Sequence, residues 1–164
     1  MLLHYFLTYF LARTLAPGGY LEFQDYGCEV FLSNGTRLDG EIPEHPIARY
    51  MSVINAAAAR TGRPFAIARG MAERMKEVGF VDIQQRTTTW PLGPWPKQRD
   101  LKELGKWGKM AYVEGALPFA LMLLTREGWS KETITEMIDA ATASLKKNSY
   151  YVQAWFVYGR KPEA

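Results

Sequence analysis

At 164 residues the chain has the length of about one domain, and 48% hydrophobic with 23% charged residues is globular composition, which excludes disorder and fibrous repeats. One cysteine, Cys28, and two histidines, His4 and His45, exclude a disulfide framework, a cysteine-based zinc site and a histidine-rich metal site. The net charge of +3 divides into two basic and six acidic groups in residues 1–45 (net −4) and 18 and 11 in the rest (net +7), yet no basic run exceeds Lys146-Lys147, so the phosphate-binding stripe of a nucleic-acid partner is missing.

The opening stretch from Met1 to Ala12 is apolar, but no cation precedes it as in a signal peptide. It is also too short for a membrane span of about 20 residues. It reads as a buried helix from Leu2 to about Leu15, ended by Pro17-Gly18-Gly19, in a soluble, cytoplasmic protein that suits a lone thiol. Tyr20 to Tyr26 alternates as a strand. Asn34-Gly35 predicts a tight turn between Glu29–Leu32 and Arg37-Leu38.

A helix is expected from Pro46, an early helical position, to about Thr61 before Gly62. A second runs from about Ile67 to Val78 and ends at Gly79. Residues 80–90 are β-branched and extended, and Pro91, Pro94 and Pro96 impose an irregular loop around Trp95. From Asp100 to about Thr125 the pattern is helical, with Pro118 expected to bend or split it. Ser130 is the N-cap expected for a last helix reaching about Lys147, and an aromatic strand from Tyr150 to Lys161 closes the chain. No repeat or linker is visible, so residues 1–164 are read as a single α/β domain.

Three segments taken together carry a family resemblance. Leu15-Ala16-Pro17-Gly18-Gly19-Tyr20-Leu21-Glu22-Phe23-Gln24-Asp25 is like the turn that introduces a fifth strand. Met75 to Ile83 is like the helix and turn before a sixth, and Trp155 to Pro162 is like an antiparallel seventh. With the proline-rich loop Pro91–Lys97, Glu103–Trp107 and Leu124–Ser130, the chain resembles the C-terminal half of fungal LaeA-like class I S-adenosylmethionine-dependent methyltransferases. The resemblance implies a truncated class I sheet of strands five, six and seven packed with helices. It also implies that the cofactor-binding half, with its glycine-rich turn after the first strand, has no counterpart in these residues. Gly18-Gly19 precedes a strand, and Gly105-Lys106-Trp107-Gly108 lies within a helical pattern where packing explains it. No cofactor is therefore expected on this chain alone.

Without a fourth strand, Tyr20–Tyr26 would be an open sheet edge that recruits a second copy or another chain, and Tyr5, Phe6, Tyr9 and Phe10 add to that expectation. What the family uses for its acceptor substrate is retained. Asp25 and Tyr26 stand at a strand end, with His45, Tyr50, Trp95, Trp107, Met110, Tyr112 and Glu114 as further pocket candidates. Tyr26, His45, Tyr112 and Glu114 are the expected catalytic groups; Asp25, Tyr50, Trp95, Trp107 and Met110 are expected to bind substrate. Glu114 among apolar neighbours would be a costly buried carboxylate unless paired or functional. The expected function is cofactor-independent cyclisation, of pericyclic type, of a hydrophobic polyketide- or terpenoid-like molecule held by shape and hydrogen bonds. The alternatives are a partner subunit of a methyltransferase or a fragment of one. No nucleic acid, metal or membrane partner is expected.

Overall fold

The computed structural model describes residues 11–38, 45–65 and 67–163. The expected first helix lies mostly outside them; residues 11–14 are helical, and Leu15 N–H donates to the Leu11 carbonyl at 3.1 Å. Gly18 then turns the chain with φ of +76°, a left-handed angle that costs glycine nothing. Strand β1 spans Tyr20–Leu32, so the two extended segments expected on either side of Gly27 are one strand. β2 spans Arg37–Leu38. The tight turn between them forms as the Asn-Gly pair predicts: Gly35 has φ of +90°, and Asn34 Oδ1 accepts from Thr36 N–H at 3.0 Å.

Helix α1 spans Pro46–Arg60 with Pro46 in its first turn. A 3-10 turn at Ile67–Gly70 leads into α2, Met71–Glu77, so the second expected helix opens more tightly than its periodicity suggests. β3 spans Val81–Pro91, α3 spans Arg99–Leu124, and a 3-10 turn at Thr125–Glu127 follows. α4 spans Lys131–Lys147, capped by Ser130 Oγ on Thr133 N–H at 3.1 Å, and β4 spans Tyr150–Arg160.

Pro118 neither splits α3 nor ends it. An interior proline costs about 3 kcal/mol or more. Ala116, Ala120, Leu123 and Leu124 are buried on both sides of Pro118, and their packing holds the helix through it.

The strand order is β2-β1-β4-β3, which puts the last strand between the first and the third. β1 and β4 run antiparallel, tied by Lys161 N–H to the Gly19 carbonyl (2.8 Å) near one end and Ser33 N–H to the Ser149 carbonyl (2.8 Å) near the other. β3 is antiparallel to β4 as well, since Leu92 N–H reaches the Tyr150 carbonyl while the Arg160 guanidinium reaches Asp82. The last strand inserted between two earlier ones is what the resemblance to the end of a class I methyltransferase sheet implies. On the other side of β1, β2 pairs at Val30–Leu38 and Phe31–Arg37. That hairpin pairs with the Val30–Phe31 end of β1 only.

The contacts divide the chain into two units, one drawn from residues 1–27, 66–88 and 154–164 and the other from 28–65 and 89–153. In the first, Met71, Met75, Phe80 and Val157 make the core, with Leu15, Leu21, Phe23 and Ile83 around it. Gly159 leaves little room there: a Cβ on it would lie 2.9 Å from Met75 Cε, the flexible end of that side chain, and 3.0 Å from Ile83 Cγ1. In the second unit, α1, α3 and α4 bury Ile47, Ile54, Ala116, Leu124, Ile134 and Ala141 together with Val30, Leu38 and Val152 of the sheet.

The end of α1 is tied to the turn after α3 by a two-pronged ion pair, Arg60 Nε and Nη2 to the two Glu127 carboxylate oxygens, both at 2.6 Å. Those hydrogen bonds, and then the guanidinium charge, hold the Glu127 carboxyl below its usual range. A depressed folded value means the stabilisation is complete above the ordinary carboxylate range and disappears as pH falls through the lowered value. Urea midpoints of the wild type and Glu127→Gln should therefore differ at neutral pH and converge in acid. Curves that stay parallel would assign the pair no role in acid stability.

Candidate acceptor-substrate site

The nine candidate residues fall into separate groups. Asp25 and Tyr26 belong to the first unit. Asp25 Oδ1 accepts from Tyr26 N–H at 2.9 Å and Oδ2 from Ile67 N–H at 3.2 Å, so its carboxylate caps the 3-10 turn that precedes α2. Tyr26 is half exposed.

The other seven lie in the second unit, in three places. Tyr50 of α1 and Tyr112 of α3 are buried edge to face, ring centroids 5.3 Å apart at 82°. Tyr50 donates to the Ala116 carbonyl at 3.1 Å. The Tyr112 hydroxyl is buried with no hydrogen-bond partner among the described residues. Burial, and next the neighbouring Tyr50, push its ionisation far above the ordinary phenol range, so it is a neutral O–H at any working pH.

Trp107, Met110 and Glu114 do share one helical face, as their spacing requires, but that face of α3 is the solvent face. Trp107 is 58% exposed and Met110 43%, and Glu114 is exposed beside them, which corrects the expectation of a carboxylate buried among apolar neighbours. The reason lies on the opposite side of the helix. Gly105 and Gly108, with Tyr112 and Ala116 beyond them, are the residues that face inward, and the two glycines press the helix backbone onto Pro91 and Gly93. Exposed Pro118 and Met122 extend the outer apolar stripe.

His45 and Trp95 meet around a residue that the sequence reading did not single out. Tyr150, the first residue of β4, is fully buried. His45 Nδ1 lies 3.0 Å from its hydroxyl, with the two rings edge to face at 87°. Trp95 Nε1 donates to its carbonyl at 2.9 Å. Leu92 N–H donates to that carbonyl too, so both ends of Tyr150 are held. His45 itself is fixed at the N-terminus of α1, where its carbonyl accepts from Ala48 N–H at 2.9 Å. The signal available beforehand was weak: Tyr150-Tyr151 opens a strand in which aromatics abound. The outcome is a half-buried imidazole with one nitrogen occupied, on a rigid aromatic support.

Among the described residues no strand-to-helix turn offers a cradle for S-adenosylmethionine. A cradle for that cofactor needs a glycine turn from strand to helix with open space over its backbone. The described connection that carries a glycine, β3 to α3, has its Gly93 carbonyl packed against Gly105 instead. Among the described residues there is also no group of three or more His, Cys, Asp or Glu that could hold a metal ion. No helix among them is long and apolar enough to cross a membrane.

No protein-family model matches the chain. Its relatives are fungal. It is 30% identical over 144 residues to the methyltransferase pytC of Aspergillus terreus, covering 87% of this chain and 43% of that protein. It is 27% identical over 154 residues to the probable methyltransferase tdiE of Emericella nidulans, covering 92% and 47%. It is 25% identical over 152 residues to the secondary metabolism regulator laeA of Monascus pilosus, covering 90% and 40%. The chain thus resembles fungal methyltransferases and LaeA-like secondary-metabolism proteins along nearly all of its own length, and spans less than half of theirs.

Proposed function

We propose, from a chain that resembles less than half of a LaeA-like methyltransferase, that it forms the acceptor-substrate side of such a fold. Its substrate in this reading is a hydrophobic, polyketide- or terpenoid-like small molecule. The S-adenosylmethionine side is supplied by further sequence of the same protein or by a partner chain engaged at the β2 edge of the sheet. The observation that carries the reading is the coverage: about nine-tenths of this chain aligns with relatives of roughly twice its length. The sheet order, with β4 between β1 and β3, supports it.

Calorimetric titration with S-adenosylmethionine tests this division. The purified chain alone should give no binding heat. The chain mixed with the part of pytC that it does not match should bind the cofactor. One-to-one binding by the chain alone would overturn the division of labour, because the cofactor site would then lie within these 164 residues.

A second reading is favoured by the His45–Tyr150 pair. A cyclase that needs no cofactor requires a folded-up substrate and one hydrogen bond to polarise a carbonyl, and a fixed imidazole beside an aromatic face suits that task. As an analogy between folds it ranks second. Its pocket has lost Trp107, Met110 and Glu114 to the solvent face of α3, which leaves His45, Trp95 and Tyr150 as its core.

A further inference from the structure

We infer that Tyr150 is the positioning residue of His45: its phenol donates to Nδ1, keeps the imidazole proton on Nε2, and so presents one fixed N–H to a carbonyl or enolate oxygen of the acceptor substrate. The substrate part of this inference rests on the acceptor-side reading above; the geometry of the pair does not.

The first support is distance and burial. Nδ1 and the phenol oxygen are 3.0 Å apart, a full hydrogen bond, and Tyr150 has no exposed surface through which water could take His45's place. The second is that Tyr150 remains a donor. Burial raises its ionisation above the ordinary phenol value, opposed only in part by hydrogen bonds to the Ser144 and Asn148 side chains, so the oxygen keeps its proton.

The direction of that proton follows from the acceptors within reach. The Ser144 and Asn148 hydrogen bonds lower the phenol's ionisation, as donation toward its oxygen does, so neither takes the phenol proton. Among the described residues the acceptor at hydrogen-bond distance is the imidazole nitrogen, at 3.0 Å. With Nδ1 filled in this way, a neutral ring must carry its proton on Nε2. Among the described residues Nε2 makes no hydrogen bond, and its N–H is the group we assign to a ligand.

Tyr150 is buried anyway, so a structural role alone would also make Tyr150→Phe harmful, and activity cannot separate the two. Nitrogen-15 NMR of histidine-labelled protein can, because protonated and unprotonated ring nitrogens resonate far apart. In the wild type at a pH where the ring is neutral, His45 should show a single tautomer with Nε2 protonated and Nδ1 bare. In Tyr150→Phe, with folding checked by the amide spectrum, that purity should be lost to a mixture of tautomers.

A wild-type ring protonated on Nδ1 overturns the inference without any variant, since Tyr150 would then be the acceptor. An unchanged pure tautomer in a folded Tyr150→Phe overturns it too. If the tautomer behaves as expected but the chain never turns over or binds an acceptor in the presence of its cofactor-binding side, the acceptor-side reading fails and the positioning role stands.

Discussion

Gly105→Ala should destabilise the second unit by about 3 kcal/mol or more, among the largest effects of adding one methyl group anywhere in this chain. The added Cβ would run into the Gly93 carbonyl, with the Gly93 carbonyl carbon at 2.7 Å and Pro91 Cβ at 3.2 Å. Gly108→Ala meets the Pro91 carbonyl and the Trp90 indole nitrogen at 2.8 Å. Neither obstacle is the loose end of a flexible side chain. Both are the backbone and rings of the segment that ends β3, so α3 or that segment must move. Alanine's better helix propensity returns only about 1 kcal/mol.

The same helix supplies the control. At Gly115 a Cβ would find Phe119 Cδ2 at 3.8 Å, ordinary contact distance, so Gly115→Ala should stabilise by roughly 0.5–1 kcal/mol. Urea unfolding of the three variants would thus separate in sign. A Gly105→Ala protein as stable as Gly115→Ala would mean that α3 does not press on the β3 segment as described.

The glycines also show how far the sequence could be read. Turn positions were legible because the chemistry is local: Gly35 after Asn34, Gly62 after α1 and Gly79 before β3 all take the positive φ expected of them. Ser130 as an N-cap was legible for the same reason. Strand order was not legible, since β4 pairs with β1 more than a hundred positions away in sequence, which no local pattern encodes.

The candidate site was read less well, and α3 explains why. Trp107, Met110 and Glu114 were placed correctly on one face by their spacing, but periodicity cannot say which of two faces turns inward. Large apolar residues suggested an inner face where the real one is made of Gly105, Gly108, Tyr112 and Ala116. Small residues won because the backbone, and not a side chain, makes the closest contact. Tyr150 was passed over for a different reason: its importance lies in His45 and Trp95, 105 and 55 positions away in the chain.

Tyr112 offers the sharpest separation of stability from function. Its hydroxyl is buried without a partner, and leaving such a group unpaired costs about 1–3 kcal/mol. Tyr112→Phe keeps the ring against Tyr50 and removes only that oxygen, so it should raise stability by roughly 1 kcal/mol. Tyr50→Phe is the same edit across the ring pair with the opposite sign. It deletes a donor to the Ala116 carbonyl and should cost about 1 kcal/mol or somewhat more. The two results together would show that the hydrogen bond, and not the ring packing, decides the difference. A destabilised Tyr112→Phe would mean that the hydroxyl is satisfied in solution, for instance by a trapped water. An unpaired buried polar group that a fold retains at a cost invites a functional reason. If Tyr112 is an acceptor-site group, the more stable Phe variant should also turn over more slowly, with its cofactor-binding side present. A variant that is both more stable and fully active would remove Tyr112 from the site and leave His45 and Tyr150 at its centre.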